Sequence, residues 1–376
     1  MQVIDTDNVN TAFTQDLPKL LGSMISRRSE SRNGPVENLG SLTTVYRKPF
    51  QRMLRLPRRD ANPIFHVIES LWMLAGQDDV ASMSAMVPSM ASYGNPESGK
   101  FDGAYGARWR SYFSVDQIPA VVKELSATPN SRRAVIGLYD AATDVPRWSS
   151  SKDIPCNLAV KFDITYGCLN MFVFNRSNDL MLGAYGANAV HFSVLHEYVF
   201  RTLKVLDPDL QPGRYEQISA DSHLYTEALY GEQKAGIFQT PLTSDETADP
   251  YADGSYQSVD WFSLGADHTM DAAQLISLFN HELSNFRRTF RQQFLGEDVP
   301  FRPVPRHPFF EQVVDPLLRS YRAFKAPTRD WDVISSKMES IERFSNTYLG
   351  NPYFDVYQNT REWYLRRAAK EGVTLL

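Results

Sequence analysis

Two strand-like runs and the long apolar helix after them set the strongest limit on how this chain folds. Asn157 to Thr165 ("NLAVKFDIT") and Cys168 to Ser177 ("CLNMFVFNRS") are rich in Val, Ile and Phe, and only Tyr166 and Gly167 separate them. Such runs on either side of a two-residue turn predict a β-hairpin. From Gly186 to Leu206, the residues Val190, Val194, Leu195, Tyr198 and Val199 fall at the spacing of a long buried helix. Arg132 to Asp140 and Gly213 to Glu227 read as further strands. Asn62 to Gly76 reads as a second helix, with Asn62 as cap, Pro63 in the first turn and Gly76 as stop. The layout is α+β, a mixed sheet packed with helices.

The last part of the chain has a different texture. Thr269 to Gly296 reads as a helix, Asp298 to Pro308 as a Pro-rich connector, and "FFEQVVDPLLRSYRAF" and "YFDVYQNTREWYLRRAA" as further helices. The expected division is a catalytic domain over 1–265 and a helical extension over 266–376.

Composition narrows the class. With 376 residues, 43% of them hydrophobic, the chain can bury a large core. Two cysteines are too few for a disulfide framework, and "MQVIDTDNVNTAF" has neither a basic nor an apolar leader region, so a cytoplasmic location is expected. No run approaches the roughly 18 apolar residues of a membrane span. A net charge of −5 gives no global attraction to nucleic acid or acidic membranes, and no direct nucleic-acid binding is expected. Local Arg clusters at Ser26 to Arg32, Arg55 to Asp60 and Ser131 to Arg133 can still hold a phosphate, or simply face solvent.

Standard signatures are absent: no P-loop, no G-x-G-x-x-G, no G-x-S-x-G, no C-x-x-C and no H-E-x-x-H. His191 and His196 lie five apart and do not share a helix face as metal ligands would, so both are expected in core or surface roles, and no metal is expected. Two residues stand out. Glu69 sits at the edge of the apolar face of the first helix, where a carboxylate costs stability unless it is paired or used. Cys156 follows Pro155 at the mouth of an apolar run. Cys168 is expected to be an ordinary buried strand residue.

Seven segments in order then carry a resemblance: "HVIESLWMLAG" (His66 to Gly76), "YGARWR" (Tyr105 to Arg110), "SRRAVIG" (Ser131 to Gly137), "DIPCN" (Asp153 to Asn157), "NRSNDLMLG" (Asn175 to Gly183), "GANAVHFSVL" (Gly186 to Leu195) and "DSHLY" (Asp221 to Tyr225). Together they resemble the thymidylate synthase family, which includes the pyrimidine-nucleotide hydroxymethylases, from Arg32 to Tyr225. The resemblance implies a homodimer with shared active sites that acts on dUMP with 5,10-methylenetetrahydrofolate. A thiolate adds to C6 of uracil because C5 alone is too weak a nucleophile, and Cys156 takes that role. By the same resemblance, Arg176 and Ser177 hold the phosphate, Arg132 and Arg133 reach it from the partner subunit, and Arg32 is a further phosphate ligand. Glu69 is the catalytic carboxylate, and Tyr105 stands near the nucleophile. Asp179 contacts folate, and His223 with Tyr225 contacts the sugar hydroxyl. Asn188 reads the base, an Asn amide matching N3–H and O4 of uracil; one extra residue precedes it relative to the synthase pattern.

Two departures bear on the product. Asn157 stands where synthases have a His, and the chain ends "KEGVTLL" without the short synthase tail that closes over folate. A wetter site favours water as the final nucleophile, giving 5-hydroxymethyl-dUMP, as in bacteriophages with modified DNA; such a viral enzyme works in host cytoplasm. The alternatives are a thymidylate synthase making dTMP and dihydrofolate, use of UMP, a non-catalytic nucleotide- or RNA-binding relative, and a flavin-dependent methylase of unrelated type.

Overall fold

The computed structural model of the chain describes residues 2–23, 27–31, 34–226, 237, 240–262, 271–295 and 306–375. Among these, eight strands make one mixed sheet: β1 (Gln2–Thr6), β2 (Arg27–Ser31), β3 (Gly34–Tyr46), β4 (Val135–Gly137), β5 (Asn157–Thr165), β6 (Cys168–Asn175), β7 (Asn178–Asp179) and β8 (Gln211–Tyr225). The order across the sheet is β1-β3-β8-β6-β5-β4, with β2 paired to β3 and β7 to β8. The expected α+β class holds.

The hairpin forms as its sequence predicts. Thr165 pairs with Cys168 across Tyr166 (φ 53°) and Gly167 (φ 73°), two left-handed residues whose twist matches that of the strands. The β6–β8 pairing is parallel and needs a crossover, which the Asn188–Lys204 helix supplies. That helix over β6 and β8, with the Gln117–Ala127 helix over β4 and β5, covers the sheet face carrying Ile136, Val160, Val173 and Gln217, all of them buried. The opposite face presents Ala159, Phe172, Phe174, Ile218 and Val135, and there Phe174 is 38% and Val135 43% exposed.

The Pro63–Leu74 helix begins as read: the Asn62 side chain accepts from the Phe65 amide, Pro63 opens the first turn, and Gly76 follows in the left-handed region at φ 71°. The Ala272–Leu295, Asp315–Lys325, Trp331–Tyr348 and Asp355–Lys370 helices complete the molecule. Tyr321 accepts from Asn62 (3.1 Å) and donates to the Met86 carbonyl (3.0 Å), tying the Asp315–Lys325 helix to the first one.

Several expectations are corrected. Of Arg132 to Asp140 only Val135–Gly137 is strand, because Asp140 turns the chain by capping a short helix at Ala141–Asp144. The long helix starts at Asn188, not Gly186: Leu180–Ala187 is a π-type turn kinked at Tyr185 and Gly186. Cys168 is half-buried beside the hairpin turn, not in the core. β1, β3 and the Trp331–Tyr348 helix were not anticipated. The expected boundary at residue 265, Arg32, and most of the Pro-rich connector lie outside the described residues.

Candidate active site

Strand register brings Cys156 and Arg176 together. Asn157 pairs with Asn175 at the ends of β5 and β6, so the residues just beyond, Cys156 and Arg176, are neighbours, and the Arg176 amide donates to the Cys156 carbonyl at 2.9 Å. The guanidinium is then fixed by Nε to the Pro155 carbonyl and Nη2 to the Ile154 carbonyl, both 2.9 Å, which leaves Nη2 3.7 Å from Cys156 Sγ. A cation at that distance favours the anionic sulfur. Both residues open into a cavity of about 1030 Å³ that Ser177, Tyr105, Asp179, Asn188, His223 and Tyr225 also line. Its apolar lining includes Met90, Tyr93, Phe101 and Leu182. Such a volume is at the upper end for a small-molecule site and suits two ligands side by side.

Tyr105 opens the Tyr105–Arg110 helix, which lies against the first helix so closely that a Cβ on Gly106 would stand 2.2 Å from the Met73 carbonyl. Burial pushes the Tyr105 hydroxyl up, with the nearby Cys156 and Asp153 adding to it, so the phenol stays neutral. Arg108 on the same helix makes a buried two-pronged pair with Asp144 (2.8 and 2.6 Å), anchoring the Ala141–Asp144 turn near the cavity rim. Asp153, also lining the cavity, accepts from the Gly103 amide at 2.7 Å; burial pushes its carboxyl up to about 6.

Glu69 does not reach the cavity lining. Its carboxylate Oε2 lies 3.0 Å from His191 Nε2, off the line of a hydrogen bond. His191 is buried, as expected of a core residue, and its contact with Glu69 is one the sequence did not announce. His66 packs edge-on to His191 with ring centroids 6.4 Å apart, and burial pushes His66 down to about 3, keeping that ring neutral. His196, by contrast, is a core residue bonded to the Leu169 carbonyl at 2.8 Å.

Asn188 lines the cavity and follows directly on the π-type turn at Leu180–Ala187. Its Nδ2 donates to Asn178 Oδ1 at 3.2 Å; Asn178 Nδ2 donates to Gln217 Oε1 (3.1 Å) and Ser219 Oγ (3.2 Å). Gln217 Nε2 donates to the Ala184 carbonyl at 2.7 Å. Asp179 accepts from the Met181 amide (2.9 Å) and so caps the π-type turn while facing the cavity. His223 and Tyr225 pack edge-to-face, centroids 5.2 Å apart, and His223 Nδ1 is 3.4 Å from Asp221.

Arg132 and Arg133 are exposed and do not line this cavity; Arg133 faces Glu124 at 3.4 Å. Asn157, where synthases have His, is buried and donates to Asn175, with its Oδ1 unpaired among the described residues. Sequence reasoning missed Asp153, His191, Asn178 and Gln217. "DIPC" placed Asp153 three residues before Cys156, a signal that could have found it; the other three depend on contacts distant in sequence.

Comparison with known proteins agrees with this geometry. The sequence profile of the thymidylate synthase family matches residues 57–245. A deoxyuridylate hydroxymethyltransferase of Pseudomonas phage M6 is 38% identical over 379 residues, covering 99% of each chain. Another, of Bacillus phage SP01, is 31% identical over 228 residues, covering 57% of this chain and 58% of its own. A cavity holding Cys156 beside Arg176, with the profile running through both and a full-length relative at this identity, places the chain in the thymidylate synthase family.

Proposed function

We propose that this protein is a deoxyuridylate hydroxymethyltransferase, forming 5-hydroxymethyl-dUMP from dUMP and 5,10-methylenetetrahydrofolate. The observation that carries the reading is the end-to-end likeness to the phage M6 enzyme, which continues through the C-terminal helices beyond residue 245, where the family profile stops. Cys156 adds to C6 of the uracil, with Arg176 favouring the thiolate and, with Ser177, taking the nucleotide phosphate. Arg32 is proposed as a further phosphate ligand. His223 and Tyr225 meet the sugar, and Asn188 meets N3–H and O4 of the base. The neutral Tyr105 hydroxyl stands near the nucleophile as a hydrogen-bond donor.

The apolar lining of Met90, Tyr93, Phe101 and Leu182, with Asp179 in the same cavity, fits a flat heteroaromatic group. Bound there, folate supplies the one-carbon unit. Glu69, beside His191, takes and returns protons around C5 through water. Asn157 turns to Asn175 and leaves that position without an imidazole, which supports water as the final nucleophile.

The sheet face carrying Val135, Phe172 and Phe174 supports a homodimer, with Arg132 and Arg133 exposed next to it and, on this reading, serving the partner's phosphate. No described helix is long and apolar enough to cross a membrane. Both phage relatives support action in the cytoplasm of an infected bacterium.

The test is product analysis. The full chain with dUMP labelled with tritium at C5, plus 5,10-methylenetetrahydrofolate, should release tritium and give a hydroxymethyl nucleotide by mass spectrometry. A methyl product would make it a thymidylate synthase, and no tritium release would return it to a binding role.

A further inference from the structure

The Asn188 amide is held by a chain of hydrogen bonds whose polarity is set at its far end. A backbone carbonyl can only accept, so the Gln217 atom 2.7 Å from the Ala184 oxygen must be the amide nitrogen. Gln217 then presents Oε1 to Asn178, which must answer with Nδ2 (3.1 Å), and Ser219 takes the second hydrogen of that group (3.2 Å). Asn178 has Oδ1 left, and Asn188 must offer it Nδ2 (3.2 Å). Asn178 and Gln217 are buried at 3% and 1% exposure, so water cannot relieve a mismatch. Gly183 leaves room for the junction: a Cβ there would stand 2.7 Å from Asn178 Oδ1 and 3.3 Å from Asn188 Nδ2.

The orientation matters because an asparagine amide is ambiguous. Held this way, Asn188 offers the cavity an Oδ1 acceptor and one N–H donor, the complement of the uracil N3–H and O4. Rotated by half a turn, the same amide would match cytosine, which accepts at N3 and donates from its amino group. Rotation here would set Asn188 Oδ1 against Asn178 Oδ1, two acceptors at about the 3.2 Å now bridged by a hydrogen.

We infer that Gln217 and Asn178 are specificity-determining positioning residues, which make Asn188 read uracil and reject cytosine by locking its amide through the Ala184 carbonyl. The inference rests on the reading of Asn188 as the residue that meets the base.

The experiment measures kcat/KM for dUMP and for dCMP with the full chain and folate, and Kd for both nucleotides by calorimetry. Gln217→Met keeps the volume and breaks the chain, so the dUMP:dCMP ratio should fall about tenfold or more. Asn178→Asp keeps an acceptor facing Asn188 Nδ2, so the ratio should stay within about threefold of wild type even if total turnover drops. Asn178→Leu removes that acceptor and should act like Gln217→Met, which keeps the test open if either variant fails to fold. A merely structural role would lower turnover on both nucleotides by one factor and leave the ratio fixed, which overturns the inference. Asn188→Ala separates the two layers. If it leaves the ratio at the wild-type value, Asn188 does not read the base and the underlying reading fails. If it collapses the ratio while Gln217→Met and Asn178→Leu preserve it, only the locking chain is refuted.

Discussion

The surroundings of the cavity and the C-terminal helices differ in how their charged groups are answered, though both bury polar atoms at a cost: among the C-terminal helices burial pushes Asp355 up to about 6, and Trp363 Nε1 has no partner among the described residues. Among the C-terminal helices, charge is placed where it is answered: Arg367 meets both oxygens of Asp60 (3.1 and 3.0 Å), Arg55 meets Glu362 (3.2 Å), and Arg306 bridges Glu282 and Asp315. Arg367 also stacks on Trp363, 3.4 Å from the ring centroid. In and near the cavity, groups are held at a cost: Asp153 in the lining has its carboxyl pushed up by burial, and outside the lining Glu69 lies off the line of a hydrogen bond to His191 and Asn157 Oδ1 is unpaired among the described residues. A satisfied group stabilises and does little else. A group kept short of a partner can act on a substrate, and its cost must be met by the surrounding packing.

The sharpest way to break this contrast is at the proposed nucleophile. Cys156→Ala should abolish tritium release from labelled dUMP, leave nucleotide Kd within about tenfold, and barely move the thermal midpoint, since a half-buried thiol packs little. Residual turnover near wild type would end the covalent reading. Subunit mixing tests whether the exposed arginines belong to the neighbour's site. Equal parts of Cys156→Ala and Arg133→Ala protein, each inactive or weak alone, should regain about a quarter of wild-type activity, because half the dimers are hybrids with one intact site. Failure of rescue with subunit exchange demonstrated would remove Arg133 from the partner's phosphate.

On the other side of the comparison, Trp363→Ala should cost about 3–5 kcal/mol of stability in chemical denaturation, given its 3% exposure and its contacts with Phe324, Tyr364 and Arg367. The dUMP:dCMP ratio should not change. A shift in that ratio would mean that the C-terminal helices set the shape of the base site, and the division of labour drawn above would fail.

What was legible in the sequence follows the same line. Local rules found the Pro63–Leu74 helix, with cap and stop both in view, and the hairpin, whose Tyr-Gly turn lies between two apolar runs. Ordered motifs found Cys156, Arg176, Ser177, Asn188, His223 and Tyr225, which the structure gathers around one cavity. β3 escaped because its alternation breaks: pairing with β8 slips between Asn38 and Gly40 and again between Gly40 and Leu42, with Gly40 at φ 74°. Its parallel partner β1 has only five residues and no local turn to announce the pairing. The Asn178–Gln217 contact spans 39 positions and Glu69–His191 joins two helices, so neither leaves a periodic trace.

The smallest effect expected is a pH-dependent one at Asp153. Burial raises its carboxyl to about 6 in the folded protein, above the usual 3.8, so between about pH 4 and 6 the folded state holds more protons than the unfolded state. Stability must then fall as pH rises through that window, and above it the ionised group carries the full penalty. The side chain is only partly screened from the cavity, which reduces the penalty to about 1 kcal/mol. Asp153→Asn keeps an oxygen to accept from Gly103 but has no charge to bury. Relative to wild type, the variant should therefore gain about 1 kcal/mol between pH 4 and pH 7.5 in urea titrations. An unchanged difference across that range would show that the Gly103 amide already offsets the burial, and that the cavity wall holds this carboxylate at no more cost than the C-terminal helices hold theirs.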